Sequence, residues 1–379
     1  MRRIALTSPY DFACPGGVNE HVRHLARHLR KRGHWVDIIA PCSSNEPSIN
    51  GFIKIDSMIV PVPFSGAVAN ITLSPTVWKQ VKEVLQTRHY DIVHIHEPMA
   101  PFLSLAVLYY SRSLNVGTFH QYRKRHPIYE CTGPIMRYFV NKLSGRIAVS
   151  QAACNFAQRY FPYNYRIIPN GIEIVPYQKR TITPWEKYLN DGKLNILFIG
   201  RLEQRKGFRY LLRAFRQVKK VVPEARLLVA GAFTRQDRLT YVRYIRHFRI
   251  RDVKFIGFIS EADKYRWYKT AHLFCAPSTG CESFGLVLTE AMSASTPIIA
   301  SNIAGYRDVI EDGVTGVLVP PADERALGSA IIDLLHDPTR RTQLGYAAQQ
   351  AVQQYDWARV TMKIEHYYEE LLERHANYQ

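Results

Sequence analysis

The sequence predicts an α/β protein built from two Rossmann-like domains whose parallel sheets face each other across a cleft. At 379 residues the chain exceeds the usual size of one compact core, so two domains are expected. The order strand, glycine turn, helix, strand occurs near the N-terminus and begins again at Leu194. A third stretch, Pro277 to Gly316, reads as a polar loop, an apolar helix and a buried strand, which is typical of a ligand-binding α/β unit.

Composition agrees with a globular protein, since 46% of residues are hydrophobic and 22% are charged. The longest apolar run, Phe102 to Tyr110, is far shorter than the ~20 residues of a membrane-spanning helix. Arg2 and Arg3 precede a short strand rather than a secretory signal, so we expect a cytoplasmic protein. The six cysteines form no C-x-x-C pair, which argues against a zinc site or a disulfide framework.

Charge is the unusual feature of the composition. The net charge of +18 and the pI of about 9.6 are spread over both halves of the chain. They imply a negatively charged partner: nucleic acid, anionic lipid or a phosphorylated substrate. Because no recognised nucleic-acid motif accompanies the basic residues, we expect no nucleic-acid partner.

The first domain is predicted over residues 1–175. Residues Arg3 to Ser8 form a strand, and Gly16 and Gly17 precede a helix that Gly33 ends. The G-x-G-x-x-G pattern is missing, so a dinucleotide site is not expected, and a simple tight turn is the alternative at the two glycines.

Two segments of this domain carry cations beside aromatic residues. The predicted helix Ser74 to Thr87 presents Lys79 and Lys82 near Trp78, which fits a surface helix or one that rests on an anionic bilayer. Residues 121–146 interleave cations with tyrosines and form the best candidate for an anion-facing or membrane-facing surface.

Histidines follow two strands of the same domain. His94 and His96 point to one face of their strand, but no third ligand follows at a suitable spacing, so we expect no metal site. His120 ends the next strand, where the functional sites of α/β proteins gather.

The second domain is predicted over residues 193–355, after a linker at 172–192. Arg201 and Lys206 lie in its first strand-to-helix turn, where they suit a diphosphate clamp, with solvated surface charges as the alternative. Residues 356–379 are predicted as a helix that crosses back onto the first domain.

Two carboxylates frame the helix start in the stretch from Pro277 to Gly316. Glu282 precedes the helix and Glu290 lies about two turns into it. Residues 283–285 would lie at the helix N-terminus, where free amides and the positive dipole end bind phosphate. A ligand with a diphosphate and hydroxyl groups, such as a nucleotide-sugar, fits this site.

These motifs together resemble those of the retaining GT-B glycosyltransferases of family 4 over nearly the whole chain. The run Glu282 to Glu290 resembles the family's E-x7-E motif, and Gly200-Arg201 with Lys206-Gly207 resembles its G-R…K-G loop. The Pro-Gly-Gly-Val, His-Ile-His-Glu-Pro and Thr-Phe-His runs are similar to those of phosphatidylinositol mannosyltransferases. Cys281 stands where those enzymes have a glycine, and residues 121–125 replace their Thr/Ser-rich run.

The resemblance implies roles for single residues. Glu282 would contact the donor sugar, Glu290 the ribose, and His120 the transferred sugar, while Arg201 and Lys206 would hold the diphosphate. The implied catalytic residues are His120, Glu282, Arg201 and Lys206. The implied donor-binding residues are Gly17, Arg201, Lys206, Ile259, Glu282, Ser283, Phe284, Gly285, Leu286, Val287 and Glu290. The acceptor or membrane residues are Tyr10, Asn19, Lys79, Lys82, Arg123, Lys124 and Arg125.

The predicted function is therefore retaining transfer of a hexose from a GDP-sugar or UDP-sugar, of the GDP-mannose or UDP-glucose type, to a lipid or lipid-linked acceptor. Transfer to a soluble, polysaccharide or sugar-phosphate acceptor is the alternative. The resemblance implies no strict metal requirement, because the Asp-x-Asp motif is missing, and a divalent cation would be a non-essential addition. We expect the protein on the inner face of the cell membrane as a peripheral protein, with no prediction of oligomeric state.

Overall fold

The computed structural model describes residues 1–14, 16–44, 49–56, 58–64, 67–123, 125–179 and 181–377. Contacts within the chain divide it into two compact units. The first comprises Met1–Gly171 and Trp357–Gln379, and the second comprises Ile172–Asp356. The fold class is α/β, as predicted.

The first unit holds, in its described part, a seven-stranded parallel sheet of order β3-β2-β1-β6-β7-β8-β9. Strand β1 lies between β2 and β6, with Ile4 opposite Val36 on one side and Ile92 on the other. The elements of this unit are β1 (Arg3–Thr7), α1 (Gly17–Lys31), β2 (Trp35–Pro41), β3 (Phe52–Ile55), β4 (Ile59–Phe64), β5 (Ala67–Thr72), α2 (Thr76–Arg88), β6 (Ile92–His96), α3 (Leu103–Tyr110), β7 (Leu114–Phe119), α4 (Pro127–Asn141), β8 (Gly145–Ala148), α5 (Gln151–Tyr160) and β9 (Arg166–Ile167).

An antiparallel ribbon of β4 and β5 stands apart from this sheet. The sequence around Pro61 and Pro63 does not predict strands, because proline cannot donate to a ladder. A two-stranded ribbon tolerates proline since each strand has a free edge. Pro61 lies opposite Asn70 in the observed register.

The second unit contains, within its described residues, a six-stranded parallel sheet of order β12-β11-β10-β13-β14-β15. Its first βαβ element begins at Leu194, as predicted, and Leu211, Phe215 and Val218 of its helix recur at helical spacing and are fully buried. Its elements are α6 (Val175–Gln178), β10 (Leu194–Ile199), α7 (Phe208–Val221), β11 (Ala225–Ala230), α8 (Arg235–His247), β12 (Val253–Gly257), α9 (Glu261–Thr270), β13 (Leu273–Ala276), α10 (Leu286–Ser293), β14 (Ile298–Ser301), α11 (Ala304–Arg307), β15 (Val317–Val319), α12 (Glu324–His336) and α13 (Pro338–Ala351).

The first residues of the predicted linker belong to the hydrophobic core of the second unit. Ile172, Ile174 and Tyr177 are buried among the apolar residues of the second unit. Their side chains are separated by prolines and charges, so the sequence shows no clear periodicity there, and burial is decided by tertiary packing.

The final helix, α14 (Trp357–Asn377), belongs to the first unit. Trp357 and Tyr368 are 2% exposed and share the core of α1 and the central strands. Among the described residues, no helix combines the length and apolar character needed to cross a bilayer.

Candidate active site

The candidate donor site of the second unit begins where two loops are locked together. The loop after β10 contains Gly207 in the left-handed region at φ +71°, and any Cβ there would overlap the carbonyl oxygen of Pro277. The amide of Thr279 donates to the carbonyl of Arg205 at 2.8 Å. The loops after β10 and β13 therefore lie backbone to backbone at the carboxyl end of the sheet, the usual ligand edge of an open α/β sheet.

Glu282 is the centre of the charges on these loops. Its Oε1 lies 2.7 Å from both Arg205 Nη1 and Lys206 Nζ, and Ser278 Oγ donates to the same oxygen at 3.3 Å. Burial by itself would raise the pKa of Glu282, but the Lys206 and Arg205 cations outweigh it and lower that pKa. Glu282 is therefore an ionised carboxylate at neutral pH.

Arg201 extends the same network towards solvent. Its Nε lies 3.1 Å from Glu203 Oε1, while Glu203 Oε2 lies 3.0 Å from Arg205 Nε. The Arg201 side chain is 51% exposed, so its guanidinium remains accessible to a ligand. Arg205 is the cation that sequence reasoning missed: it stands beside Lys206, but only its contact with Glu282 distinguishes it from a surface charge.

The N-terminus of α10 follows Glu282 directly. Gly285 precedes it at φ +87°, and the first amides of a helix have no partner inside the helix. Leu286 and Val287 open the helix, as expected for an anion-binding turn. Phe284 differs, because its side chain is 3% exposed and packs on Tyr355 at a ring distance of 5.4 Å, so only its backbone is available.

Glu290 lies on the same helix and is held by two neighbours from α9. Lys264 Nζ and Tyr268 Oη each lie 2.9 Å from a Glu290 carboxylate oxygen. Although burial opposes it, the Glu290 and Glu261 carboxylates raise the pKa of Lys264. Ile259 precedes α9 and packs against the core of the second unit. Lys264, which the sequence analysis did not select, therefore fixes the Glu290 carboxylate.

His120 lies at the carboxyl end of β7 in the first unit and is 8% exposed. Its amide donates to Glu97 Oε1 at 3.0 Å, and Gln121 Nε2 donates to Glu97 Oε2 at 2.7 Å. Burial raises the pKa of Glu97 to about 7. Glu97, which follows the two histidines of β6, was also missed from sequence.

The two histidines of β6 share a face, as their spacing predicts, and their rings stack at 4.5 Å. His94 contacts Tyr368 Oη and Thr118 Oγ1, each at 2.6 Å. His96 Nδ1 lies 2.9 Å from His120 Nε2. Burial lowers the pKa of His96 and of His120 well below the ordinary value, so both rings are neutral at pH 7.

The predicted acceptor residues have different surroundings. Asn19 is buried: its Nδ2 donates to Asp11 O at 2.8 Å and to Cys14 O at 3.0 Å, and its Oδ1 accepts from Ser8 Oγ at 2.7 Å. It therefore braces the loop before α1. Gly17 is exposed as the first residue of α1.

The remaining acceptor candidates lie on the first unit. Burial raises the pKa of Tyr10, with Glu97 adding to the effect and Arg123 opposing it. Arg125 is engaged by Glu130 through contacts of 2.9 and 3.1 Å, which neutralise its charge. Lys124 lies outside the described residues.

Lys79 and Lys82 are exposed on α2, and Lys82 joins a larger surface. Lys82 Nζ lies 6.0 Å from the Tyr110 ring. Lys142 Nζ lies 5.3 Å from the rings of both Tyr109 and Tyr138, which are 50% and 53% exposed. The two basic and aromatic segments predicted separately are thus one surface across α2, α3 and α4. We name it the aromatic-basic patch, formed by Trp78, Lys82, Tyr109, Tyr110, Tyr138 and Lys142.

Comparison with known families and proteins identifies relatives of this chain. The family model described as "Glycosyltransferase Family 4" matches residues 15–175, and "Glycosyl transferases group 1" matches residues 179–351. The chain is similar to the phosphatidyl-myo-inositol mannosyltransferase of Mycobacterium tuberculosis, with 35% identity over 97% of this chain and 96% of that protein. Its similarity to the Mycobacterium leprae protein of the same name is 33%, over 97% and 96% of the two chains.

Solved structures share the fold at lower identity. A glycosyltransferase from Rickettsia africae superposes with a TM-score of 0.79 at 20% identity over 98% of each chain. Anabaena HepE, solved with UDP-glucose, gives a TM-score of 0.77 at 20% identity, over 98% of this chain and 100% of that one.

Proposed function

Since the chain belongs to the family 4 glycosyltransferases, we propose that it transfers a hexose, with retention, from a nucleoside diphosphate sugar to a lipid acceptor at a membrane surface. Mannose and an inositol lipid are the first pair to test, because the relatives at 33% and 35% identity are named phosphatidyl-myo-inositol mannosyltransferases. The donor is a GDP-sugar or UDP-sugar.

The arrangement of Glu282 carries this proposal. A carboxylate that is only 12% exposed and is held 2.7 Å from two cations, at the start of a helix, supplies an acceptor for sugar hydroxyls beside donors for a diphosphate. Arg201, Arg205 and Lys206 provide the positive charge, and the amides of Leu286 and Val287 provide neutral donors. Glu290, oriented by Lys264, accepts from the ribose hydroxyls.

The chemistry follows from the charge that develops during transfer. The anomeric C–O bond to the diphosphate breaks, and a bond to the acceptor hydroxyl oxygen forms on the same face of the sugar. The hydroxyl proton passes to the departing phosphate, so no separate base is required. Cations fixed before the reaction stabilise the negative leaving group in the transition state without reorganising.

Glu282 acts as a sugar ligand in this scheme rather than as a nucleophile. Its two cation contacts lower its pKa and reduce its basicity, which suits a hydrogen-bond acceptor. His120 contacts the transferred sugar.

The aromatic-basic patch is the proposed membrane contact. Tyrosine rings favour the interface between hydrocarbon and water, and lysines attract anionic headgroups. Lys142 lies beside the exposed rings of Tyr109 and Tyr138, and the exposed Lys82 lies near the half-buried ring of Tyr110, so one surface offers both interactions.

Donor binding tests the first half of the proposal. Isothermal titration with GDP-mannose, UDP-glucose and UDP-N-acetylglucosamine should give one site for one of the three, and the same ligand should raise the melting temperature. The variant Glu282→Gln should weaken that binding, while Glu324→Gln, which removes a surface carboxylate of the same unit, should leave it unchanged. Failure of every nucleotide-sugar to bind the folded protein would overturn the proposal.

A further inference from the structure

Three buried ring nitrogens in the first unit have no hydrogen-bond partner among the described residues: Nε2 of His21 on α1, Nδ1 of His34 and Nε2 of His96 on β6. His21 and His96 are neighbours, with ring centroids 5.1 Å apart. His21 is 5% exposed and His96 is 0% exposed, so bulk water does not supply the missing hydrogen bond to either nitrogen. A buried polar atom without a partner is energetically unfavourable, which calls for a physical reason.

Asn170 fixes the tautomer of His21. His21 Nδ1 lies 2.9 Å from Asn170 Oδ1, and because that oxygen is an acceptor, the proton must be on Nδ1. Nε2 of His21 is therefore a bare lone pair. Metal-binding histidines usually donate their other ring N–H to an oxygen in this way, which orients the ligating nitrogen.

His120 completes a group of three with these residues. One ring nitrogen from each of His21, His96 and His120 lies within 4.8 Å of the others, and His96 Nδ1 and His120 Nε2 are already 2.9 Å apart. Nitrogens around a tetrahedral zinc ion, at about 2.0–2.1 Å from the metal, are roughly 3.3 Å apart. Coordination would therefore require His21 to move inward and the His96 and His120 nitrogens to separate slightly from 2.9 Å.

The surroundings suit a transition metal rather than a hard cation. The three donors are all imidazole nitrogens, which favour Zn²⁺, Co²⁺, Ni²⁺ or Cu²⁺ over Mg²⁺ or Ca²⁺. Trp357 packs edge-on against His21 at a ring distance of 4.9 Å and keeps that side dry. His94 is not a ligand, since both its nitrogens contact Tyr368 and Thr118.

We propose that His21, His96 and His120 form a three-histidine site for a divalent transition metal of the zinc type, with Asn170 orienting His21. The pair His94 and His96 offered no third ligand in the sequence. The fold supplies His21 and His120 instead, from a helix and a neighbouring strand that are far apart along the chain.

Metal binding has a consequence that rests on the proposed function. A metal ion on His120 occupies the ring that is proposed to contact the transferred sugar. Micromolar Zn²⁺ should therefore inhibit hexose transfer, and a chelator should restore it. Spectroscopy of the bound ion needs no turnover, so failure of the metal site and failure of the proposed function are distinguishable.

Cobalt absorption tests the site in the full-length protein. After treatment with a chelator, Co²⁺ is added and the visible d–d bands are recorded, since a low-coordinate histidine site gives intense bands whereas hydrated Co²⁺ gives weak ones. We expect one Co²⁺ per chain, displaced by stoichiometric Zn²⁺, without the strong near-ultraviolet band of cysteine thiolate ligation. His21→Gln and His96→Gln should abolish the bands, and His336→Gln, a histidine of the second unit, should retain them.

Each result decides the matter. Weak bands in the wild-type protein, bands that survive both His21→Gln and His96→Gln, or a thiolate band would overturn the proposal. Melting curves of the metal-free variants check that they fold. If either glutamine variant fails to fold, the Zn²⁺-induced rise in melting temperature of the wild-type protein, compared with Mg²⁺ at the same concentration, provides the second readout.

Discussion

Glu282 shows how a single carboxylate can organise a site. It is largely shielded from solvent, yet two cations at 2.7 Å keep it ionised, and these cations would repel each other without it. The sequence predicts its importance through its spacing to Glu290. Arg205 and Lys264 could not be selected in the same way, because in sequence each is one cation among many and only the folded loops bring them to a carboxylate.

Replacing Glu282 by Gln should reduce the rate of hexose transfer by about 100-fold or more, because the neutral amide neither accepts as strongly from the sugar nor balances the two cations. Steady-state kinetics with the bound donor measures this. The melting temperature of the second unit should fall, because Arg205 and Lys206 lose their shared counter-ion, so turnover is compared at a temperature at which both proteins are folded. Glu324→Gln serves as the control and should retain full turnover, whereas near-normal turnover of Glu282→Gln would remove the residue from the site.

His126 provides a pH-dependent contribution at a helix end. It is the N-cap of α4, where its Nδ1 accepts from the amide of Tyr129 at 3.3 Å. Burial lowers its pKa to about 4, with Arg123 adding to the effect. A lowered histidine pKa stabilises the fold above the unfolded value of about 6.5, and that stability is lost as the pH falls towards 4.

The wild-type protein should therefore lose about 1 kcal/mol more unfolding free energy between pH 7 and pH 5 than the variant His126→Asn, which keeps a capping acceptor but does not titrate. Urea denaturation at the two pH values measures the difference. Equal losses in the two proteins would show that His126 does not titrate in this window.

At the scale of elements, the loops after β10 and β13 depend on each other. Gly207 and Gly192 have the same φ of +71°, but only Gly207 faces a neighbouring backbone, the carbonyl of Pro277, and nothing lies within 4 Å of a Cβ at Gly192. Comparing alanine substitutions at these two glycines therefore distinguishes the effect of backbone strain from that of steric overlap between the loops.

Gly207→Ala should destabilise the second unit by about 1–3 kcal/mol beyond the effect of Gly192→Ala and should weaken donor binding, because the loop bearing Lys206 is pushed from the loop bearing Glu282. Thermal unfolding and calorimetry of both variants measure this. If the two alanine variants behaved alike, the proposed coupling of the loops would be wrong.

Amphipathic elements of the second unit were predictable because their apolar residues recur at a regular period, as in α7. The first unit was harder. The helix α4 contains Pro134 and follows a loop rich in cations. The sequence of residues 121–146 therefore indicates a basic surface but does not predict that part of it is helical. The ribbon of β4 and β5 is not predicted from the sequence because it contains prolines. A strand tolerates proline where one of its edges is free, and the local sequence does not reveal a free edge.

For the whole molecule, the net charge of +18 is spread over the chain, but two of its cations, Lys82 and Lys142, lie beside tyrosine rings in the aromatic-basic patch. Its members lie on or next to three helices that are separate in the sequence. The sequence therefore predicts two basic segments but not that they form one surface. The double variant Lys82→Gln with Lys142→Gln should reduce binding to vesicles containing phosphatidylglycerol by several fold at about 0.1 M salt, where charges are only partly screened. Co-sedimentation measures the bound fraction.

A control of equal charge comes from α8. Arg243→Gln with Arg246→Gln removes the same two charges from exposed positions of the second unit and should leave vesicle binding nearly unchanged. Equal loss in both double variants would mean that net charge alone, rather than this patch, attracts the protein to the membrane.

The product of transfer shows whether a lipid accepts the hexose. The protein is incubated with GDP-mannose or UDP-glucose and with vesicles that contain phosphatidylinositol, and the extracted lipids are analysed by mass spectrometry. We predict that one hexose is added to the lipid by the wild-type protein and by Glu324→Gln, but not by Glu282→Gln. Transfer of the hexose to soluble acceptors alone would contradict the proposed lipid acceptor. Equal product from Glu282→Gln would contradict the role proposed for Glu282.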